Sequence, residues 1–139
     1  MGLDLYFFKK GINFQEIREN ISNLYEKKRI IQEEIEQLED AYDDVQLASF
    51  NITHNLNKMA EAAGLYEVLW HPEEIGITSA SQMIPLLEKG VKELEKYPEK
   101  YKAFNAPNGY GKYEDFVNFC RSTLHWCRKY PDAVVEASR

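Results

Sequence analysis

Cysteine is scarce in this chain: 139 residues hold two, Cys120 and Cys127. On one helix, residues seven apart lie about 10 Å from each other along the axis, too far for a mutual bridge. There is no CxxC pair and no disulfide framework, which predicts a reducing compartment. Long apolar runs are missing as well. No stretch approaches the roughly 18 continuous apolar residues of a spanning helix, so no membrane segment is expected. The start, Met1-Gly2-Leu3-Asp4-Leu5-Tyr6-Phe7-Phe8, is apolar but short and does not resemble a signal peptide. Tyr6 stands where a myristoylation signal has Ser or Thr. A cytoplasmic location is the expectation.

Positive charge is also in deficit. Lys and Arg number 17 against 23 Asp and Glu, a formal net charge of −6. That balance argues against direct nucleic-acid binding, which normally needs a basic face, and leaves open a basic protein partner. The three histidines, His54, His71 and His125, show no metal-ligand spacing with one another, so neither a metal nor a cofactor is expected. There is no internal repeat and no low-complexity segment.

What is present is an ordinary folding composition, with 44% hydrophobic and 29% charged residues and a generous 13% aromatic. The length suits one domain, 1–139, with a single core. Leu3, Leu5 and Phe7 alternate with Asp4, Tyr6 and Phe8, which predicts a strand over about 3–9. Residues 133–137 follow a Tyr130-Pro131-Asp132 turn and predict a second strand. A lone strand is not viable, so the two termini are expected to pair as a small sheet, with 45–50 as a third candidate.

A long helix over about 14–44 is predicted between them. Asn13 is a fair N-cap, with Glu16 three residues on. Phe14, Ile17, Ile21, Leu24, Ile31, Ile35, Leu38, Tyr42 and Val45 follow a 3-4 alternation broken only at Lys28. That is a coiled-coil seam of about four heptads. Ile84, Leu87, Val91 and Leu94 repeat the spacing, as do Phe116, Phe119, Cys120, Thr123 and Cys127. The fold class expected is therefore mainly α (α+β), the long helix packed on two shorter ones and a small sheet joining the termini. Dimerisation through the long helix is the competing use of its seam.

Over about 51–131 the chain is punctuated helix carrying distinctive motifs. Asn51-Ile52-Thr53-His54-Asn55-Leu56, Lys58-Met59-Ala60, Ala63-Gly64-Leu65-Tyr66, Leu69-Trp70-His71-Pro72-Glu73-Glu74, Asn108-Gly109-Tyr110-Gly111 and Ser138-Arg139 occur in that order. Together they resemble a family of small, functionally uncharacterised phage and prophage proteins. The resemblance covers the first strand and most of 51–139, the long helix matching least. This chain has Tyr110 where the family pattern has Trp and His71 where it has Arg. The resemblance implies a phage-related origin, with no activity to carry over.

Physically, Asn51 or Thr53 caps a helix whose first turn holds His54 and Asn55, a place where unpaired N–H groups suit an anion. Asn108, Gly109 and Tyr110 form a second loop before a helix, and Tyr110 and Tyr113 offer stacking faces. If the loops meet, they form a pocket for a nucleotide-like ligand. The plainer alternative makes the same residues helix caps, turn formers and partners for backbone groups. No catalytic residue emerges: His54 has no paired nucleophile, Cys120 and Cys127 lie on an apolar face, and Glu73-Glu74 read as a first helical turn after Pro72.

Glu33, Glu34, Glu36, Glu39, Asp40, Asp43 and Asp44 lie within twelve residues that contain no Lys or Arg. A solvated helix face explains them. The sharper reading is a docking surface, chiefly Glu33, Glu36, Glu39, Asp40, Asp43 and Asp44, by which a non-enzymatic protein of phage origin engages or inhibits a host or defence protein. A ligand-binding or enzymatic pocket and a self-associating structural protein are the other two expectations.

Overall fold

Asn13 opens the long helix by accepting a hydrogen bond from the backbone N–H of Glu16 at 3.1 Å, while its amide nitrogen donates back to the Glu16 carboxylate at 3.4 Å. In the computed structural model, which describes residues 2–139, the helix that follows, α1, runs Phe14–Val45. After it come a 3-10 turn at His54–Leu56, α2 (Asn57–Ala62), α3 (Tyr66–Trp70), a second 3-10 turn at Pro72–Ile75, α4 (Ala80–Lys96), α5 (Pro98–Lys102) and α6 (Tyr113–Lys129). The chain divides into two compact units, Met1–Leu47 and Ala48–Arg139.

In the first unit Phe8 stacks on Phe14 with centroids 3.9 Å apart and planes within 1°, and the Arg18 guanidinium lies over both rings. Beyond Phe14, which Phe8 covers on one face, the seam of α1 stays open. Ile17, Ile21, Leu24, Ile31, Ile35, Leu38, Tyr42 and Val45 are 41–75% exposed, and no residue of the helix is buried.

The second unit is built on α4 and α6. Glu88 meets Arg128 and Glu95 meets Arg121, at 2.9 and 2.8 Å, so the two helices run antiparallel. Between them Leu87, Leu94, Phe116 and Cys120 are fully buried, with Val91 and Cys127 nearly so. These are the apolar positions whose 3-4 spacing predicted helix. Leu56, Met59 and Leu65 from the shorter elements complete the core, and Tyr101 of α5 closes one end with its hydroxyl donating to Glu93 at 2.8 Å. Gly64, with φ of +73°, takes the left-handed conformation that ends the stretch before α3.

The terminal sheet is not formed. Residues 2–9 adopt no regular structure, and neither do 46–53. Among the described residues, the only strand-type pairing of the 133–137 segment is an isolated antiparallel bridge between Val134 and Ser79. The physical reason lies at the start of α4, whose first N–H groups have no partners inside the helix. Ala80 donates to the Ala133 carbonyl at 2.9 Å and Ser81 to the Pro131 carbonyl at 2.8 Å. The C-terminal segment therefore serves as a cap for α4 rather than as a strand. At the other terminus, Tyr6 and Phe8 place aromatic rings on the face a half-buried strand keeps polar, and Phe8 is drawn to Phe14 instead. Within the second unit α4 and α6 complete their seams against each other, and no residue of α1 is buried.

Candidate functional site

His54, Tyr66, Trp70, His71, Glu73 and Arg139 gather in the second unit at the corner where α3 turns into Pro72–Ile75. Thr53 is the N-cap of the first 3-10 turn, its hydroxyl accepting from the Asn55 N–H at 3.3 Å. That turn aims His54 at α3, where the Trp70 indole N–H donates to His54 Nδ1 at 2.9 Å. An accepting Nδ1 puts the ring proton of neutral His54 on Nε2. Trp70 is 7% exposed, so this bond satisfies an otherwise buried donor.

Four residues earlier on the same helix face, Tyr66 stacks on Trp70 with centroids 5.6 Å apart. Its hydroxyl pairs with His71 Nε2 at 3.2 Å. The other ring nitrogen, His71 Nδ1, is buried without a hydrogen-bond partner, with Glu74 Oε1 3.5 Å away. Ligand atoms of His71, Glu73 and Glu74 lie within 4.8 Å of one another.

A histidine and two carboxylates at that spacing are a donor set for a divalent cation. Here, however, a guanidinium supplies the positive charge. Arg139, the last residue, donates to Glu73 Oε1 at 2.6 Å and to the Trp70 carbonyl at 3.3 Å. A hydrogen bond from its own backbone and the Arg139 guanidinium hold the Glu73 carboxyl below the usual carboxylate range.

The two loops predicted to form a pocket do meet. Asn55 Nδ2 donates to the Tyr110 carbonyl at 3.0 Å. The approach is tight, since a Cβ on Gly111 would sit 3.1 Å from Leu56 and 3.2 Å from Thr53. Asn108 accepts from the Tyr110 N–H at 3.0 Å and so shapes its own loop around Gly109, whose φ is +78°. Tyr110 is 74% exposed, whereas Tyr113 is buried, its hydroxyl donating to the Leu94 carbonyl at 2.7 Å. The two tyrosines therefore do not form one stacking platform. Asn51 is exposed and makes no side-chain hydrogen bond among the described residues.

Tyr66, Trp70, His71 and Arg139 were absent from the residues expected to form a site, although each stands in a motif. The usable signal was the run Trp70-His71-Pro72-Glu73-Glu74, where proline forces a turn and brings neighbouring polar side chains to one side.

Cys120 and Cys127 are buried among apolar groups, and burial pushes the Cys120 thiol up to about 12. That is the opposite of the shift that activates a nucleophile.

The acidic residues all lie on α1. Glu33 pairs with Arg29 at 2.6 Å, and Glu36, Glu39, Asp40, Asp43 and Asp44 are exposed. In heptad register Glu34 and Glu39 flank the seam, while Glu33, Glu36, Asp40, Asp43 and Asp44 fall on the outer face. Ile35, Leu38, Glu39, Tyr42 and Asp43 line a shallow concavity on the seam itself. Among the described residues no helix is long and apolar enough to cross a membrane.

No family model, curated protein or solved structure matches this chain.

Proposed function

We propose that this chain is a non-enzymatic protein-association module in which α1 is the docking element and the Ala48–Arg139 unit is its folded support. The observation that carries this reading is the open seam. Eight apolar heptad positions of α1 are 41–75% exposed along a 32-residue helix. Isolated helices owe little of their stability to backbone propensity and depend on burying an apolar face. A contiguous exposed apolar stripe of this kind marks an interaction surface. Apart from His71 Nδ1, the polar cluster at His54, Trp70, His71 and Arg139 is bonded internally, which supports a structural task for it.

The acidic outer face favours a second reading within the same class, docking on a basic protein of a host or its defences. Its support is the run of seven carboxylates without a Lys or Arg over residues 33–44, together with the motif order that resembles phage proteins.

The test replaces Ile31 and Ile35 with Glu. The variant is expected to keep the thermal transition of the Ala48–Arg139 unit and to lose association, read by sedimentation velocity. A lowered transition in that unit would show that the seam is internal packing surface, and the reading would fail.

A further inference from the structure

We infer that the partner of α1 is a second copy of this chain, bound antiparallel along the seam. The inference rests on the reading of α1 as a docking element and adds the identity and direction of its occupant.

Charge along the helix carries it. Over residues 14–29 there are four basic and three acidic side chains, whereas residues 33–44 hold seven acidic and none basic. The helix is thus polarised end to end, and its acidic half lies toward its own C-terminus, where the macrodipole is negative. A second copy laid parallel sets the acidic half against the acidic half. Laid antiparallel, it sets each acidic half against the better compensated N-terminal half of the partner, and the two macrodipoles oppose.

The positions flanking the seam agree. With Phe14 at a, the heptad places Arg18 and Glu39 at e, and Lys27 and Glu34 at g. In an antiparallel pair in full register, Phe14 faces Val45 and Ile17 faces Tyr42 of the other copy. Position e then opposes e, and g opposes g. Arg18 meets Glu39, and Lys27 meets Glu34, each twice by symmetry. In a parallel pair g opposes the following e, and the one pairing of two charged residues is Glu34 with Glu39, a repulsion occurring twice.

Lys28, the polar residue in the seam, gives the same answer. It faces its own copy in a parallel pair. In the antiparallel pair it faces Ile31, and the two lysines are staggered by about 4.5 Å along the axis. Buried polar residues at a are known to set orientation and register at some cost in stability. None of the four flanking charges is taken by another ion pair: Glu26 and Glu33 take Arg29, while Arg18, which lies over the Phe8 and Phe14 rings, and Lys27, Glu34 and Glu39 form no ion pair among the described residues.

Engineered cysteines in the full chain test both the occupant and its direction. The native thiols are buried and stay out of the exchange. Antiparallel, Ile17 sits about 37 Å along the axis from its own copy, yet directly across from Tyr42. Ile17→Cys combined with Tyr42→Cys is expected to give nearly complete covalent dimer on mild oxidation, and Ile17→Cys alone none. Native mass spectrometry of the wild type is expected to show a dimer. A covalent dimer from Ile17→Cys alone would overturn the orientation. So would a native dimer that the double variant fails to trap. A monomeric wild type would overturn the second copy as occupant. In that case the docking role itself stands or falls separately, on whether the Ile31→Glu/Ile35→Glu variant keeps the transition of its Ala48–Arg139 unit.

Discussion

Trp70 donates its indole N–H to His54 Nδ1 at 2.9 Å, and this bond joins the first 3-10 turn to the end of α3. The two partners are unequal. Trp70 is almost fully buried, whereas His54 is exposed and can turn to water. Loss of the acceptor strands a buried donor, while loss of the donor frees an acceptor that solvent can satisfy. His54→Ala is expected to destabilise the Ala48–Arg139 unit by about 1–3 kcal/mol, the cost of an unpaired buried polar group. His54→Gln, which keeps an acceptor, is expected to recover part of it. Urea midpoints for the two variants check this, and equal midpoints for His54→Ala and wild type would remove the structural role assigned to His54.

Gly90 is a point of close approach in the core. A Cβ built there lies 2.3–2.6 Å from three atoms of the Leu65 side chain, which is itself fully buried. Gly90→Ala gains about 1 kcal/mol in helix propensity. It also forces Leu65 into an already packed interior, at a cost of about 1–3 kcal/mol. Net destabilisation is expected in thermal melts. Adding Leu65→Ala opens the space Gly90→Ala needs, so the double variant is expected to fall short of the sum of the two single losses, the mark of residues in direct contact.

Legibility in the sequence followed the physics of each element. The helices were readable because their apolar spacing repeats: Leu87, Val91 and Leu94 on α4 and Phe116, Cys120 and Cys127 on α6 are buried as their 3-4 pattern predicts. The Asn13 cap was readable because it is local, spanning three residues. The terminal strands were misread because alternation over five or six residues carries no information about a partner. Pro131 and Ala133 found theirs in the orphan N–H groups of α4, some fifty residues away in sequence. The same limit hid the site. His54 and Asn55 were visible as a polar cluster, but their attachment to Trp70 and Tyr110 depends on long-range packing that spacing does not encode. The seam of α1 was legible as a seam, whereas its openness was not, since burial belongs to the folded chain.

Arg139 ties the chain end to the α3 corner through the Trp70 carbonyl and the Glu73 carboxylate. Both ionic partners are about half exposed, so the pair is screened by salt. Arg139→Ala is expected to lower the melting temperature by less than His54→Ala does, with the difference shrinking in high salt. The Glu73 pKa lies below its ordinary value of 4.5. A carboxyl depressed on folding contributes stability above its unfolded pKa and loses it as pH falls through the folded value. The difference between wild type and Arg139→Ala is therefore expected to narrow as pH drops below about 4.5, and thermal melts across that range check it.

Alkaline pH acts on the core from the opposite side. Burial, aided by the hydrogen bond to Glu93 and by its charge, raises Tyr101 from 10.0 to about 12. Burial alone raises Cys120 from 9.0 to about 12, and the same cause raises Tyr113 and Cys127. For each group the folded state prefers the neutral form more strongly than the unfolded state does. Stability from these groups is therefore fully present below the unfolded pKa values and is lost as pH rises through the folded ones. The Ala48–Arg139 unit is expected to hold constant stability up to about pH 9 and to lose it progressively toward about pH 12. Far-ultraviolet circular dichroism and tyrosinate absorbance, followed together, check this. The Tyr101 tyrosinate signal should arrive together with unfolding. Tyr101→Phe removes the ionising hydroxyl and should move the alkaline transition to higher pH relative to its own neutral-pH stability. An unchanged transition would mean that Cys120, Cys127 and Tyr113 carry the alkaline loss without it.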